Sequence, residues 1–172
     1  VSHRKEWDTH LIQCEVQEIV DRDVSSRTET IHHASSARHL GMHMMWIRQR
    51  IQTTVEDGTE LWSRVNEFFP SRVCCSIVED QMASLSRQSL DSVIRGLFAL
   101  NSFCKNWQSG AFDPTKIECT VSPESEPTLN KYGTEHTFLC PDGQRRIFSW
   151  HAKVGKWRVY FAPDLASGQL LV

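Results

Sequence analysis

No apolar run in this 172-residue chain approaches the roughly eighteen residues that a membrane-crossing helix needs, so no segment is a candidate span and no membrane partner is expected. The opening stretch, VSHRKEWDTH, is too polar for a secretory leader, which makes the cytoplasm the expected compartment. No C-x-x-C spacing occurs among the six cysteines, Cys14, Cys74, Cys75, Cys104, Cys119 and Cys140. They fall largely within apolar periodic segments and read as buried thiols rather than a chelate or a disulfide framework. An excess of either charge is missing too: 19 Lys and Arg stand against 21 Asp and Glu, a net charge of −2. That argues against a chain that coats nucleic acid non-specifically, while a local basic cleft is still allowed. Internal repeats and low-complexity tracts are absent.

With 40% hydrophobic residues the chain is long enough to bury a proper core, as one domain or two closely packed subdomains. Trp7, Leu11 and Cys14 recur at helical intervals and predict a helix over 7–20. The polar stretch 21–36, DRDVSSRTETIHHASS, shows no sustained period and reads as a connection. From Ser36, the residues Leu40, Met44, Ile47, Ile51, Val55, Leu61, Val65 and Phe68 recur at three- and four-residue steps. They predict a long amphipathic helix, bent or broken near Asp57-Gly58 and ended at Pro70. A shorter helix or turn is expected over 74–85. The clearest helix carries Leu90, Val93, Ile94, Leu97, Phe98, Leu100 and Phe103 and stops near Trp107 to Gly110.

Beyond Gly110 the pattern turns to strands. Residues 116–121 look strand-like, while 122–127 hold two prolines that fix the backbone and remove donors, so no regular element is expected there. Thr137 to Cys140 and Arg145 to Val154 flank the turn signal Pro141-Asp142-Gly143-Gln144. Gly168 precedes an apolar end at 169–172 that looks like a strand beginning or cut short; with Val1 in place of Met, it suits a trimmed chain from which a further strand or partner is missing. The expectation is an α+β fold: a helical region over 1–110 packed with an antiparallel sheet of about four strands over 111–172, as one compact unit.

The organising stretch is Arg145–Phe161, in which Gly155-Lys156 makes a two-residue hairpin loop. Pairing Val154 with Trp157 puts Lys153 opposite Arg158, Ala152 opposite Val159, His151 opposite Tyr160 and Trp150 opposite Phe161. One face becomes Trp150, Ala152, Val154, Trp157, Val159 and Phe161, a core face. The other carries Ser149, His151, Lys153, Lys156, Arg158 and Tyr160. Like charges directly opposed are unfavourable, so Lys153 and Arg158 either lean apart in water or share an anionic ligand.

Other constellations carry less. His39 and His43, four apart on a helix face with His32 and His33 before them, have metal-ligand spacing but no carboxylate at the inner positions, and Met42, Met44 and Met45 suggest packing. Neither a metal nor a cofactor is called for. Cys74 and Cys75 point to different sides of a helix and read as core. Trp46, Trp62 and Trp107 read as packing anchors. Glu124 and Glu126, in the loop before the sheet, either face water or bring a general base or a carboxylate cap towards the hairpin.

The sequence H-x-K in one strand and W-R-V-Y-F in the next resembles the last hairpin of RelE/HigB-type ribonuclease toxins. The run from Ser122 to Phe161 also resembles an uncharacterised bacterial group with an S-x-E-S…P-D-G…H-x-K…R-x-x-F pattern. The toxin resemblance implies that Lys153 and Arg158 bind phosphate or stabilise a transition state, with His151 or Tyr160 handling protons; Glu124, from the preceding loop, is expected to orient His151 or serve as base. Such toxins are usually shorter and basic, and the helical part of this chain matches nothing comparable. The function expected on this basis is a metal-independent endoribonuclease of toxin or defence type acting on RNA. The alternative is a non-catalytic module that binds a phosphate-bearing ligand or a protein partner, as an accessory of a bacterial defence or mobile-element system.

Overall fold

Alternation along residues 11–20, not the helical spacing, decides the N-terminal structure. The computed structural model describes residues 7–163 and 168–172; the opening stretch up to residue 6, with its polar, leader-free reading and Val1, lies outside them. Strands β1 (Leu11–Val20) and β2 (Asp23–His32) form an antiparallel hairpin, registered from Leu11↔His32 to Val20↔Asp23. Ile12, Cys14 and Val16 share its half-buried face. Asp21 and Arg22 close it with φ of 53° and 78°, the left-handed pair that a two-residue hairpin turn requires. The helix expected over 7–20 and the connection expected over 21–36 are therefore corrected. Trp7, Leu11 and Cys14 satisfy a three- or four-residue period by coincidence, while Val16, Ile19, Val20 and Val24 favour extended backbone.

The long helix expected from 36 to 68 is present as four pieces: α1 (Ala37–Met42), α2 (Met44–Thr54), α3 (Gly58–Ser63) and α4 (Val65–Phe68). Of the three breaks, the one between α2 and α3 falls at Asp57-Gly58 as expected, while those at His43 and Arg64 were not foreseen. Asp57 caps α3 by accepting a hydrogen bond from Glu60 N at 2.8 Å. The chain divides into two compact units at Ile51/Gln52, within α2.

The second unit is built around α6 (Arg87–Asn106), whose Leu90, Ile94, Leu97 and Leu100 are almost wholly buried. α5 (Ile77–Ala83) precedes it, and β3 (Arg72–Val73) pairs in parallel with β9 (Leu170–Leu171). β4 (Val121–Pro123), β7 (Trp150–Val154) and β8 (Trp157–Phe161) form an antiparallel sheet in the order β4-β7-β8. Its Ala152, Val154 and Phe161 are buried, and β7 and β8 lie against α6. At Gly96 the helix comes close to β7, so that a Cβ there would sit 2.3 Å from Val154 Cγ1. Only glycine admits this approach.

The single sheet of about four strands is also corrected. β5 (Thr137–Leu139) and β6 (Arg145–Ile147) form their own two-stranded sheet, and the end of β4 and the start of α7 (Glu126–Tyr132) fall within 122–127, where no regular element was expected. The expected strand 145–154 divides at Phe148-Ser149: Phe148 N donates to His136 O at 2.8 Å, whereas Ser149 O accepts from Glu124 N at 2.7 Å. Consecutive residues thus bond to different sheets. The Asp142-Gly143 turn does join β5 to β6, with Gly143 at φ 79° and Asp142 accepting from Arg146 at 2.7 and 2.8 Å. Those bonds hold the Asp142 carboxyl down at about 2.

Candidate functional site

The hairpin that carries the site has the register read from the sequence. His151↔Tyr160 and Lys153↔Arg158 are direct cross-strand pairs. Gly155 alone takes positive φ, 65°, at the first loop position, as a II′-type turn asks. β4 adds the fifth candidate: Ser122↔His151 and Pro123↔Trp150 are opposed, so the next residue, Glu124, emerges beside the same face.

That face divides into a closed end and an open one. At the closed end, Oε1 of Glu124 lies 2.9 Å from Nδ1 of His151, with the two side chains 12% and 7% exposed. The approach is close but poorly directed for an N–H···O bond, and Nε2 of His151 has no hydrogen-bond partner among the described residues. Tyr160, half-buried, sets its ring 5.6 Å from that of His151 and 4.9 Å, edge-on, from that of His136. At the open end, Lys153, Lys156 and Arg158 are exposed. No salt-bridge partner for Lys153 or Arg158 occurs among the described residues.

The electrostatics follow from this division. Burial pushes the His151 imidazole below its usual value; the Glu124 carboxylate opposes that, and the cations Arg158 and Lys153 add to it. Burial likewise raises the Tyr160 phenol, Glu124 raises it further, and Arg158 pulls it back. A neutral imidazole and a protonated phenol therefore share one carboxylate, with two guanidinium or ammonium groups alongside.

All five sequence-derived residues meet on this face. His136 was missed, because only the β5-β6 sheet carries it to Tyr160. Glu126 opens α7, which Ser125 caps by accepting from Thr128 N at 3.3 Å. A cavity of 320 Å³ beside β8 was also not foreseen; Arg158 and Tyr160 are in its wall.

The histidines of the first unit are a separate group. His39 and His43 are buried, and His32 Nδ1 lies 2.9 Å from His43 Nδ1. His43 Nε2 donates to His33 O at 3.0 Å, so its Nδ1 accepts from His32. Trp46 stacks on His32 with ring centroids 4.3 Å apart, and Trp107 joins Phe103 and Phe112 in an aromatic cluster. Among the described residues no group of three or more His, Cys, Asp and Glu has the geometry to hold a metal, and no helix is long and apolar enough to cross a membrane. All six thiols are free; burial raises Cys75 to about 12 and Cys104 to about 11, so neither is a reactive thiolate at neutral pH.

Comparison with family models, with curated proteins and with solved structures finds no match to this chain.

Proposed function

We propose that this chain is a metal-independent endoribonuclease, working on the face formed by Glu124, His151, Lys153, Arg158 and Tyr160. The observation that carries the reading is the placement of a Glu124–His151 pair behind Tyr160, with two exposed cations, Lys153 and Arg158, opposite each other at the open end. Cleavage without a metal needs a proton acceptor for the 2′-hydroxyl, positive charge on the phosphorane oxygens, and a donor for the departing 5′-oxygen.

The roles follow from access. His151 is 5% exposed, so it serves through its neighbours rather than by touching RNA. Tyr160 takes the 2′-hydroxyl proton as it passes its own to the Glu124 carboxylate, and His151 stabilises the pair by sharing that proton. The 2′-oxygen then attacks phosphorus, and the P–O5′ bond breaks. Arg158 holds the non-bridging oxygens with charge-assisted hydrogen bonds. Lys153 gives a proton to the 5′-oxygen. The products are a 2′,3′-cyclic phosphate and a free 5′-hydroxyl.

The test is incubation of the full chain with RNA, alone and on ribosomes, together with growth inhibition on induced expression. Cleavage that His151→Ala and Arg158→Ala abolish supports the reading. RNA left uncut in both settings, with both variants matching wild type in growth, overturns it.

A further inference from the structure

Among the described residues, β8 has one partnered edge and one open edge. In the β4-β7 ladder Lys153 N donates to Thr120 O at 2.8 Å and Glu124 N to Ser149 O at 2.7 Å, so the backbone groups of Ser149, His151 and Lys153 face β4. Successive strand residues alternate, which turns Trp150, Ala152 and Val154 towards β8, where they meet Phe161, Val159 and Trp157. The N–H and C=O of Arg158 and Tyr160 therefore point away from the sheet. Ala162 is next in that outward series, and it exchanges both backbone bonds with Leu171 at 3.0 Å. That bridge is antiparallel and confirms the direction. Among the described residues, no backbone bond reaches Arg158 or Tyr160 from the open side.

The 320 Å³ cavity runs along this same length of β8. Its walls include Met82, Leu97, Phe138, Phe148 and Val159, and among the described residues that line it Arg158 is the charged one. The open edge thus presents two donors and two acceptors in ladder order, with an apolar recess on one side and the exposed cations Lys153 and Arg158 on the other. A small amphiphilic anion matches only the recess and the charge; a peptide backbone matches the ladder as well.

We infer that this edge accepts an extended peptide from a partner protein, added antiparallel to β8 in line with β9. Peptide residues opposite Arg158 and Tyr160 share the face of Lys153 and Arg158 and are acidic. The residue between them, opposite Val159, is apolar and enters the cavity. A second copy of β8 is a poor occupant, because its own arginine would meet Arg158 and Lys153. The inference is independent of RNA cleavage, although both use Arg158.

The test is fluorescence anisotropy of the full chain with a fluorescein-labelled peptide, GEVEVEG. Saturable binding of that peptide is expected, with GKVKVKG at least tenfold weaker and the preference reversed in Arg158→Glu, whose fold is checked by circular dichroism. N-methylation separates strand addition from simple charge attraction. Methylating the glutamate amides, which face β8, is expected to weaken binding at least tenfold; methylating the valine amides, which face away, leaves it within twofold. The inference is overturned by no saturation up to millimolar chain, by indifference to charge, by equal effects of the two methylations, or by octanoate filling the site where the peptide does not. RNA cleavage assayed in parallel stands or falls separately.

Discussion

Glu124 Oε1 lies 2.9 Å from His151 Nδ1, one residue past the end of β4, and the same carboxylate raises the Tyr160 phenol. One anion therefore governs two titrating neighbours. Glu124→Gln is expected to lower the pKa of both, because the carboxylate raises each of them. NMR titration of the His151 ring and ultraviolet titration of Tyr160 in a Tyr132→Phe background check this; the chain has only 2 tyrosines, so one replacement isolates Tyr160. An unmoved Tyr160 would mean that the carboxylate does not reach it.

Burial also fixes the sign of a pH effect on stability. His151 titrates below 6.5 in the folded chain and near 6.5 when unfolded, so in acid the unfolded state binds the extra proton. Its contribution to stability is present above 6.5 and is lost as the pH falls through the window just below that value. Urea midpoints measured between about pH 5 and 7 are expected to fall on acidification, and less steeply in His151→Gln.

The opposed cations predict an anion effect. Lys153 and Arg158, directly paired and exposed, repel by about 1 kcal/mol or less in water. Millimolar phosphate or sulfate is expected to raise the melting temperature, and Arg158→Met to remove that increment while changing anion-free stability by less than about 0.5 kcal/mol. A badly destabilised Arg158→Met with no anion effect in wild type would make Arg158 a structural residue.

Gly96 ties α6 to the site strand. An added Cβ would lie 2.3 Å from Val154 Cγ1, so Gly96→Ala is expected to cost about 1–3 kcal/mol in chemical denaturation by pushing β7 off the helix. A neutral result would mean that the two elements separate freely.

The hairpin was legible because two-residue periodicity and one glycine in the loop fix register, and register fixes which side chains meet. The α6 stripe was legible for the same kind of reason: Leu90, Ile94, Leu97 and Leu100 are spaced for one face and are buried there. Residues 11–32 misled because Trp7, Leu11 and Cys14 happen to satisfy a helical period, while the Asp21-Arg22 turn carries no glycine to announce it. The division at Phe148-Ser149 was hidden as well, since a strand that changes partners keeps its extended pattern. The burial of His151 could not be read from the hairpin alone. Glu124 and Tyr160 lie against it, and Glu124 arrives from outside the hairpin, just past the end of β4.

Metal-independent cleavage by the Glu124, His151, Lys153, Arg158 and Tyr160 face is tested most directly by identifying RNA ends by mass spectrometry after incubation with the chain in EDTA. 2′,3′-Cyclic phosphate and 5′-hydroxyl ends are expected, formed by wild type and lost with Tyr160→Phe and Arg158→Ala. Intact RNA, or ends that form equally with those two variants, would contradict it.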